Sequence, residues 1–331
     1  MATKAKAKAP SKKIDVFLDI TNKVIDLLKT GLVPWSKNWK DSGLSGFIGI
    51  DAPRNFKTGK AYRGINILLL IMAKFESPWW MTFKQAQSLG GKVIKGSKGT
   101  RAVRWVISYY DADGKWINPK LVKSPADYHR KAMFPTYFSV FNAAQIEGIE
   151  FPTIEAPATV GDVEITNDPI ENAEAILDNY DDSPLLKFDG RNPCYSPADD
   201  TIHLPDMGQF NSSANYYKTR FHEEIHGTGA KKRLARTGIV DFDKFGSEQY
   251  AREELIAELG ACFLSEIAGI QSDDLMEDTA AYCKSWIKKL KNDPKMITFA
   301  MSGAQKATEY ICGGPLTPEL DGAEVSATAS A

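Results

Sequence analysis

The chain has 331 residues, enough for two ordinary domains with cores of their own, and its 43% apolar and 25% charged composition is that of a folded globular protein. No apolar run is long enough to cross a bilayer as a helix; the longest, around INILLLIMAKF, is broken by Lys74. The net charge of -1 hides a split: residues 1–150 carry 25 Lys and Arg against 11 Asp and Glu, and the rest carry 16 against 31.

In chain order, MATKAKAKAPSKK lacks the apolar stretch of a secretory signal and is expected to be a disordered basic tail over 1–13. IDVFLDITNKVIDLLKTG has apolar residues at helical spacing and stops at Gly31. A second helix is predicted over 64–76, and a short one at TFKQAQSLGG. KVIKGSKGTRAVRWVISYYDADGKWI reads as strands with DADG as a hairpin turn, and PTYFSVFNAAQI as a strand running into a turn. The weakly periodic, Pro-containing stretch 151–168 reads as a linker between a domain over 14–150 and a second over 169–315. ENAEAILDNY is a predicted helix, and PCYSPADDTIHLP a strand, turn and strand. SSANYYKTRFHEEIHGTG is a helix opened by Ser or Asn and closed by Gly, and GSEQYAREELIAELGACFLSEIAG a longer one with Ser247 as N-cap and Gly269 past its end. Residues 316–331, rich in Ala and Ser, are expected to be a disordered tail. The fold class is α+β. Four cysteines without paired spacing suit a reducing cytoplasm and argue against a thiolate zinc site.

Six of the seven tryptophans fall in the basic first 150 residues. Single-strand binders combine a cationic path for phosphates with aromatic platforms for bases. Arg54, Lys57, Lys60, Tyr62 and Arg63 in RNFKTGKAYR, and Lys95, Lys98, Arg101 and Trp105 in KVIKGSKGTRAVRW, supply both kinds of group. Trp79 and Trp80 are adjacent, so on a strand one faces the core and the other, Trp80 in this reading, faces out. No residue pattern for reading base edges accompanies them, so little sequence preference is expected.

FHEEIHGTG holds two of only four histidines, His222 and His226, one helical turn apart, with Glu223 between them. On a helix both imidazoles reach one metal ion, and Glu223 reaches a water on that ion, as the general base of a hydrolase. A catalytic site needs a third protein ligand. YAREELIAELGA offers Glu254 as ligand and Glu258, one turn on, as the carboxylate that orients a ligand histidine; the reverse assignment stays open, and Glu253 is expected to point elsewhere. The set suits Zn2+, and Mn2+ or Co2+ fits the same donors. Tyr195, Tyr216, Tyr217 and Tyr250 are candidate oxyanion donors, His203 is read as structural, and the strand at DTIHLP as an edge for an extended peptide.

FHEEIHGTGAKKRLAR followed by FGSEQYAREELIAELGACFL resembles the C-terminal zincin-like metallopeptidase domain of ArdC-type antirestriction proteins. PWSKNW, PRNFKTGKAYRGIN, PWWMTFKQAQSLGGKVIKGSKGTRAVRW and YFSVFNAAQIEGI resemble that family's N-terminal single-stranded-DNA-binding domain, shared with TraC-type plasmid primases. The resemblance covers about residues 14–270. It implies a protein of a conjugative plasmid, phage or integrative element that protects incoming DNA, with single-stranded DNA and a protein substrate as partners, host restriction machinery being the candidate substrate. It places the metal ligands on His222, His226 and an acidic residue of EELIAE, and the base on Glu223. Two other readings compete: a coat that shields single-stranded DNA by occupancy with an idle or structural metal site, and an acidic mimic of DNA.

Overall fold

The structure, a computed structural model, describes residues 14–35, 52–153, 159–160, 162–164, 168–190, 192–241, 248–270 and 279–317. The expected N-terminal tail and Ser247 lie outside those residues. Of the C-terminal tail expected over 316–331, residues 318–331 lie outside them, but Leu316 is buried in the core and so belongs to the fold.

The N-terminal part is α+β. Helix α1 (Val16–Lys29) starts where the Asp15 carboxylate accepts from the Leu18 amide, and buries Val16, Ile20, Val24, Ile25 and Leu28 on one face. After strand β1 (Arg54–Asn55) comes α2 (Ile65–Ile71), shorter than the 64–76 expected. The chain cannot continue as a helix past Lys74, whose φ is 59°. Strand β2 (Trp79–Met81) leads into α3 (Phe83–Ser88), opened by a Thr82–Gln85 capping box. Strands β3 (Lys92–Val93), β4 (Thr100–Tyr110), β5 (Trp116–Ile117), β6 (Arg130–Asn142) and β7 (Ile146–Glu147) follow. β4 and β5 form the expected hairpin, with Tyr110 opposite Trp116. The main sheet runs β1-β2-β6-β4-β5, with β4 and β6 antiparallel over eleven pairs.

The predicted linker is packed where it is described. Strands β8 (Thr159–Val160) and β9 (Val163–Glu164) pair, Val160 and Val163 enter the core, and the Asp162 amide donates to the Cys312 carbonyl.

The C-terminal part holds α4 (Pro169–Asp178), β10 (Leu185–Phe188), β11 (Cys194–Ser196), β12 (Thr201–Leu204), α5 (Ser213–Gly227), α6 (Thr237–Val240), α7 (Glu248–Ala268), α8 (Thr279–Asn292) and α9 (Met296–Ile311). Its sheet is ordered β10-β12-β11. β12, which carries His203, is therefore the central strand, not the edge expected of DTIHLP; β11 is an outer strand of the three and packs beside α5.

The charge split does not divide the core. One hydrophobic cluster joins α1 and α2 of the basic part to α4, α5, α7, α8 and α9. Polar contacts cross the same junction: Thr21 Oγ1 donates to the Pro294 carbonyl (2.7 Å), the Gly64 amide to Gln305 Oε1 (2.8 Å) and Trp35 Nε1 to the Tyr282 hydroxyl (3.2 Å). Smaller clusters cover the two faces of the main sheet, one around Trp79 and Phe56, the other around Trp80 and Leu70. Among the described residues, no helix is long and apolar enough to cross a membrane.

Candidate metal centre

Helix α5 begins where Ser212 Oγ accepts from the Asn215 amide, and its inner face carries Tyr217, Phe221 and Ile225 into the core. That burial fixes the helix's rotation and sets His222, Glu223 and His226 against α7, whose inner residues Leu255, Leu259 and Phe263 share the same core. His222 Nε2 and His226 Nε2 lie 3.1 Å apart. Glu254 brings Oε1 to 3.5 Å from His226 Nε2 and Oε2 to 3.9 Å from His222 Nε2. All three ligand atoms fall within 4.8 Å of one another. Ligand bonds of about 2.0–2.1 Å in a tetrahedron separate donor atoms by about 3.4 Å. The three observed spacings bracket that value, and two neutral imidazoles with one carboxylate are a borderline-soft donor set, so the residues fit a divalent cation.

The carboxylate behind His226 is Glu253, not Glu258. Glu253 Oε1 lies 3.4 Å from His226 Nδ1, and Arg236 grips Glu253 from Nε (3.0 Å) and Nη2 (2.6 Å). Glu258 accepts instead from the Tyr282 hydroxyl at 2.9 Å. The physical reason is helix rotation. Residues 253 and 254 differ by about 100° on α7, so they straddle the His226 ring, whereas 258 shares the face of 254 but lies about 6 Å further along the axis, where it meets Tyr282 of α8. Arg236 also donates to Thr228 Oγ1 and to the Ile225 carbonyl at the C-terminal end of α5, tying that helix to α7. Arg236 sits in the basic loop after HExxH, where no periodicity singles it out.

The electrostatics follow from burial among carboxylates. Burial, then the neighbouring His226, pushes the His222 pKa down to about 3. For His226 burial works the same way, but hydrogen bonds to Glu253 and Glu254 outweigh it and hold its pKa up at about 10. Glu253, although buried, is drawn down to about 2 by His226 and Arg236. The carboxylates thus favour positive charge at His226, while burial disfavours it at His222. Glu223 is 7% exposed, and burial raises its pKa; its Oε2 accepts from the Tyr195 amide of β11 at 2.7 Å. Of the four tyrosines, Tyr216 and Tyr217 are buried in the core, and the Tyr195 hydroxyl donates to Asp200. Tyr250 remains at the site, hydrogen-bonded to Glu254, its pKa raised to about 12 by burial first and then by that carboxylate. His203 is buried with Nδ1 2.6 Å from Asp189 Oδ2, a structural pair as expected.

Residues 171–303 match the sequence pattern of the family described as zincin-like metallopeptidase, and residues 15–141 that of the N-terminal domain of the anti-restriction factor ArdC. The metal-free crystal structure of antirestriction protein ArdC from plasmid R388 superposes with a TM-score of 0.64 at 30% identity, covering 95% of this chain and 99% of that one. The chain belongs to the ArdC-type antirestriction family. The Mn(II)-bound structure of the same ArdC protein matches with a TM-score of 0.63, covering 90% and 97%. A DNA primase TraC of Escherichia coli is 37% identical over 300 residues, which is 88% of this chain and 26% of that protein; the chain therefore spans about a quarter of that relative. A Sinorhizobium fredii protein, y4eC, is 29% identical over 309 residues and is matched along 94% of its length.

In this ArdC-type fold the basic candidates separate into two groups. Arg54 is fully buried on β1, and burial lowers its pKa to about 10; Trp80 is fully buried, edge-on to Phe75 at 5.4 Å. Neither can meet a base or phosphate, because both faces of the sheet around β2 are covered. Tyr62 packs half-buried against the Trp80 cluster, and Arg63, though exposed, pairs with Glu309 at 2.6 Å. Lys57, Lys60, Lys95, Lys98, Arg101 and Trp105 are at the surface, Lys57 donating to Ser88 Oγ.

Proposed function

We propose that the chain protects incoming DNA from restriction by holding it in single-stranded form through the basic N-terminal part and hydrolysing a peptide bond in a nearby protein at the metal centre. The convergence of His222, His226 and Glu254, with Glu223 on the same helix, carries this reading. A divalent cation held by those three side chains supplies Lewis acidity, polarising a peptide carbonyl and acidifying a water. Zinc suits the set, and manganese, bound by the related ArdC protein in one of its structures, is compatible with it.

Glu223 takes the proton of the attacking water on a carboxylate oxygen and passes it to the amine leaving group. Burial raises its pKa, which strengthens it as a base. The Tyr195 amide holds Oε2 and so orients the carboxylate. Tyr250, hydrogen-bonded to Glu254 at the site, is the candidate donor to the oxygen that gains charge. Lys57, Lys60, Lys95, Lys98 and Arg101 supply cations for phosphates. Tethering on DNA raises the local concentration of the hydrolase near DNA-bound proteins, including restriction enzymes.

The burial of Glu223 and its bond to the Tyr195 amide favour a second reading, in which the chain shields single strands by occupancy and the metal centre is idle. Glu223→Gln separates the two. Restriction of unmodified DNA entering a recipient that expresses the variant is compared with wild type. Lost protection with DNA binding intact is expected of the peptidase; full protection supports the coat.

A further inference from the structure

Three aromatic side chains, distant in sequence, meet at the surface where the basic and zincin-like parts join. Phe17 on α1, Trp105 on β4 and Phe299 on α9 have ring centroids 6.0 Å (Phe17–Trp105), 5.9 Å (Phe17–Phe299) and 6.2 Å (Trp105–Phe299) apart. The Phe299 plane lies within 27° of Phe17 and 35° of Trp105. The rings are not core: Trp105 is 39% and Phe299 40% exposed. Met296, Ile297, Ala300 and Met301 of α9 are all buried, and Phe299 is left on the outer side of that turn. Phe17 is half-buried, so the three rings make one partly exposed aromatic surface against which a flat ring can pack.

The surrounding charge identifies the partner. Lys295 Nζ lies 5.7 Å from the Phe17 centroid, and the Arg252 guanidinium 5.8 Å from that of Phe299. Arg101 stands on the same face of β4 as Trp105, four residues away. The nearby carboxylates sit in ion pairs, Asp19 with Lys23 and Arg101 and Asp293 with Arg252, so these charges offset one another and Lys295 adds positive charge beside the rings. Phe17 and Phe299 are stacked and Trp105 is tilted against both, by 53° and 35°; clustered rings flanked by cations suit bases with their phosphates alongside.

We propose that Phe17, Trp105 and Phe299 form a stacking platform that carries single-stranded DNA from the basic part onto the zincin-like part, with Lys295 contacting a phosphate. This rests on the single-strand-binding reading above and extends it, because α9 lies outside the region matched by the N-terminal family pattern. Bases of any identity stack on it, so no sequence preference accompanies it.

The test is fluorescence anisotropy of a labelled oligothymidylate with full-length wild type, Phe299→Ala and Lys295→Gln at several salt concentrations, with melting temperatures recorded. Phe299→Ala is expected to weaken binding about tenfold. Lys295→Gln is expected to lower the salt slope by about 0.7. Wild-type binding with both variants unchanged overturns the platform and leaves the single-strand reading standing. A loss confined to Phe299→Ala and accompanied by a fall in melting temperature also overturns it. Absence of binding by wild type overturns both.

Discussion

The carboxylate of Glu253 lies 3.4 Å from Nδ1 of His226, on the far side of the ring from the nitrogen that faces His222 and Glu254. Arg236 fixes that carboxylate through two nitrogens, so the orientation of His226 depends on a residue ten positions after it. Such supporting partners set ligand orientation and basicity. Arg236→Lys keeps the charge but removes the planar fork. It is expected to weaken Zn2+ or Co2+ binding by about 10- to 100-fold, read by competition with a chromogenic chelator. Unchanged affinity would show that Glu253 is held well enough without the fork.

Glu254 and Glu258 are separable by the metal content of their alanine variants. Glu254→Ala removes a ligand atom and is expected to abolish stoichiometric metal. Glu258→Ala removes only the acceptor of the Tyr282 hydroxyl and is expected to leave metal content at wild-type level, read by elemental analysis.

The spacing of α5 and α7 rests on a missing side chain. A Cβ on Gly260 would meet Ile225 Cδ1 at 2.6 Å and Cγ1 at 2.8 Å, and Ile225 is fully buried with no room to turn away. Gly260→Ala is expected to cost about 1–3 kcal/mol through overpacking. It should also draw Glu254 from the histidines, so that melting temperature and metal affinity fall together. Loss of one without the other would contradict this coupling.

Asp200 accepts from the Tyr195 hydroxyl (2.8 Å) and from both terminal nitrogens of Arg233 (2.7 and 2.9 Å). Burial raises its pKa, but these donors and Lys232 outweigh it and hold it well below the usual carboxylate range. A depressed carboxylate contributes its stability above its unfolded pKa of about 3.9 and loses it as pH falls through the folded value. Asp200→Asn is therefore expected to melt below wild type at pH 7, with the gap closing as pH falls below about 4. A gap that is constant across that range would contradict the assignment.

The two helices of the metal centre were legible because i and i+4 spacing is a property of the sequence itself: His222, His226 and their helix stand where FHEEIHGTG puts them. Which glutamate faces which nitrogen was not legible, since it depends on how Gly260, Leu255 and Leu259 seat α7 on α5. Trp80 was misread as outward-facing because alternation assumes one solvated face, whereas β2 is an inner strand with a core cluster on each side. Arg54 was misread for another reason: it was taken with the basic residues of RNFKTGKAYR, and nothing local marks one arginine of such a stretch as fully buried. The meeting of Trp105 with Phe17 and Phe299 left no local signal, being made wholly by tertiary packing.

The most direct measurement of the central claim is cleavage of a quenched-fluorescent peptide library by metal-loaded full-length protein, beside the same protein stripped by chelator and beside metal-loaded Glu223→Gln. The account predicts metal-dependent cleavage by wild type, restored on adding Zn2+ or Mn2+ after stripping. It predicts none by Glu223→Gln at equal metal content and equal affinity for single-stranded DNA. Cleavage by Glu223→Gln at the wild-type rate would contradict the role given to that carboxylate and with it the peptidase reading of the site.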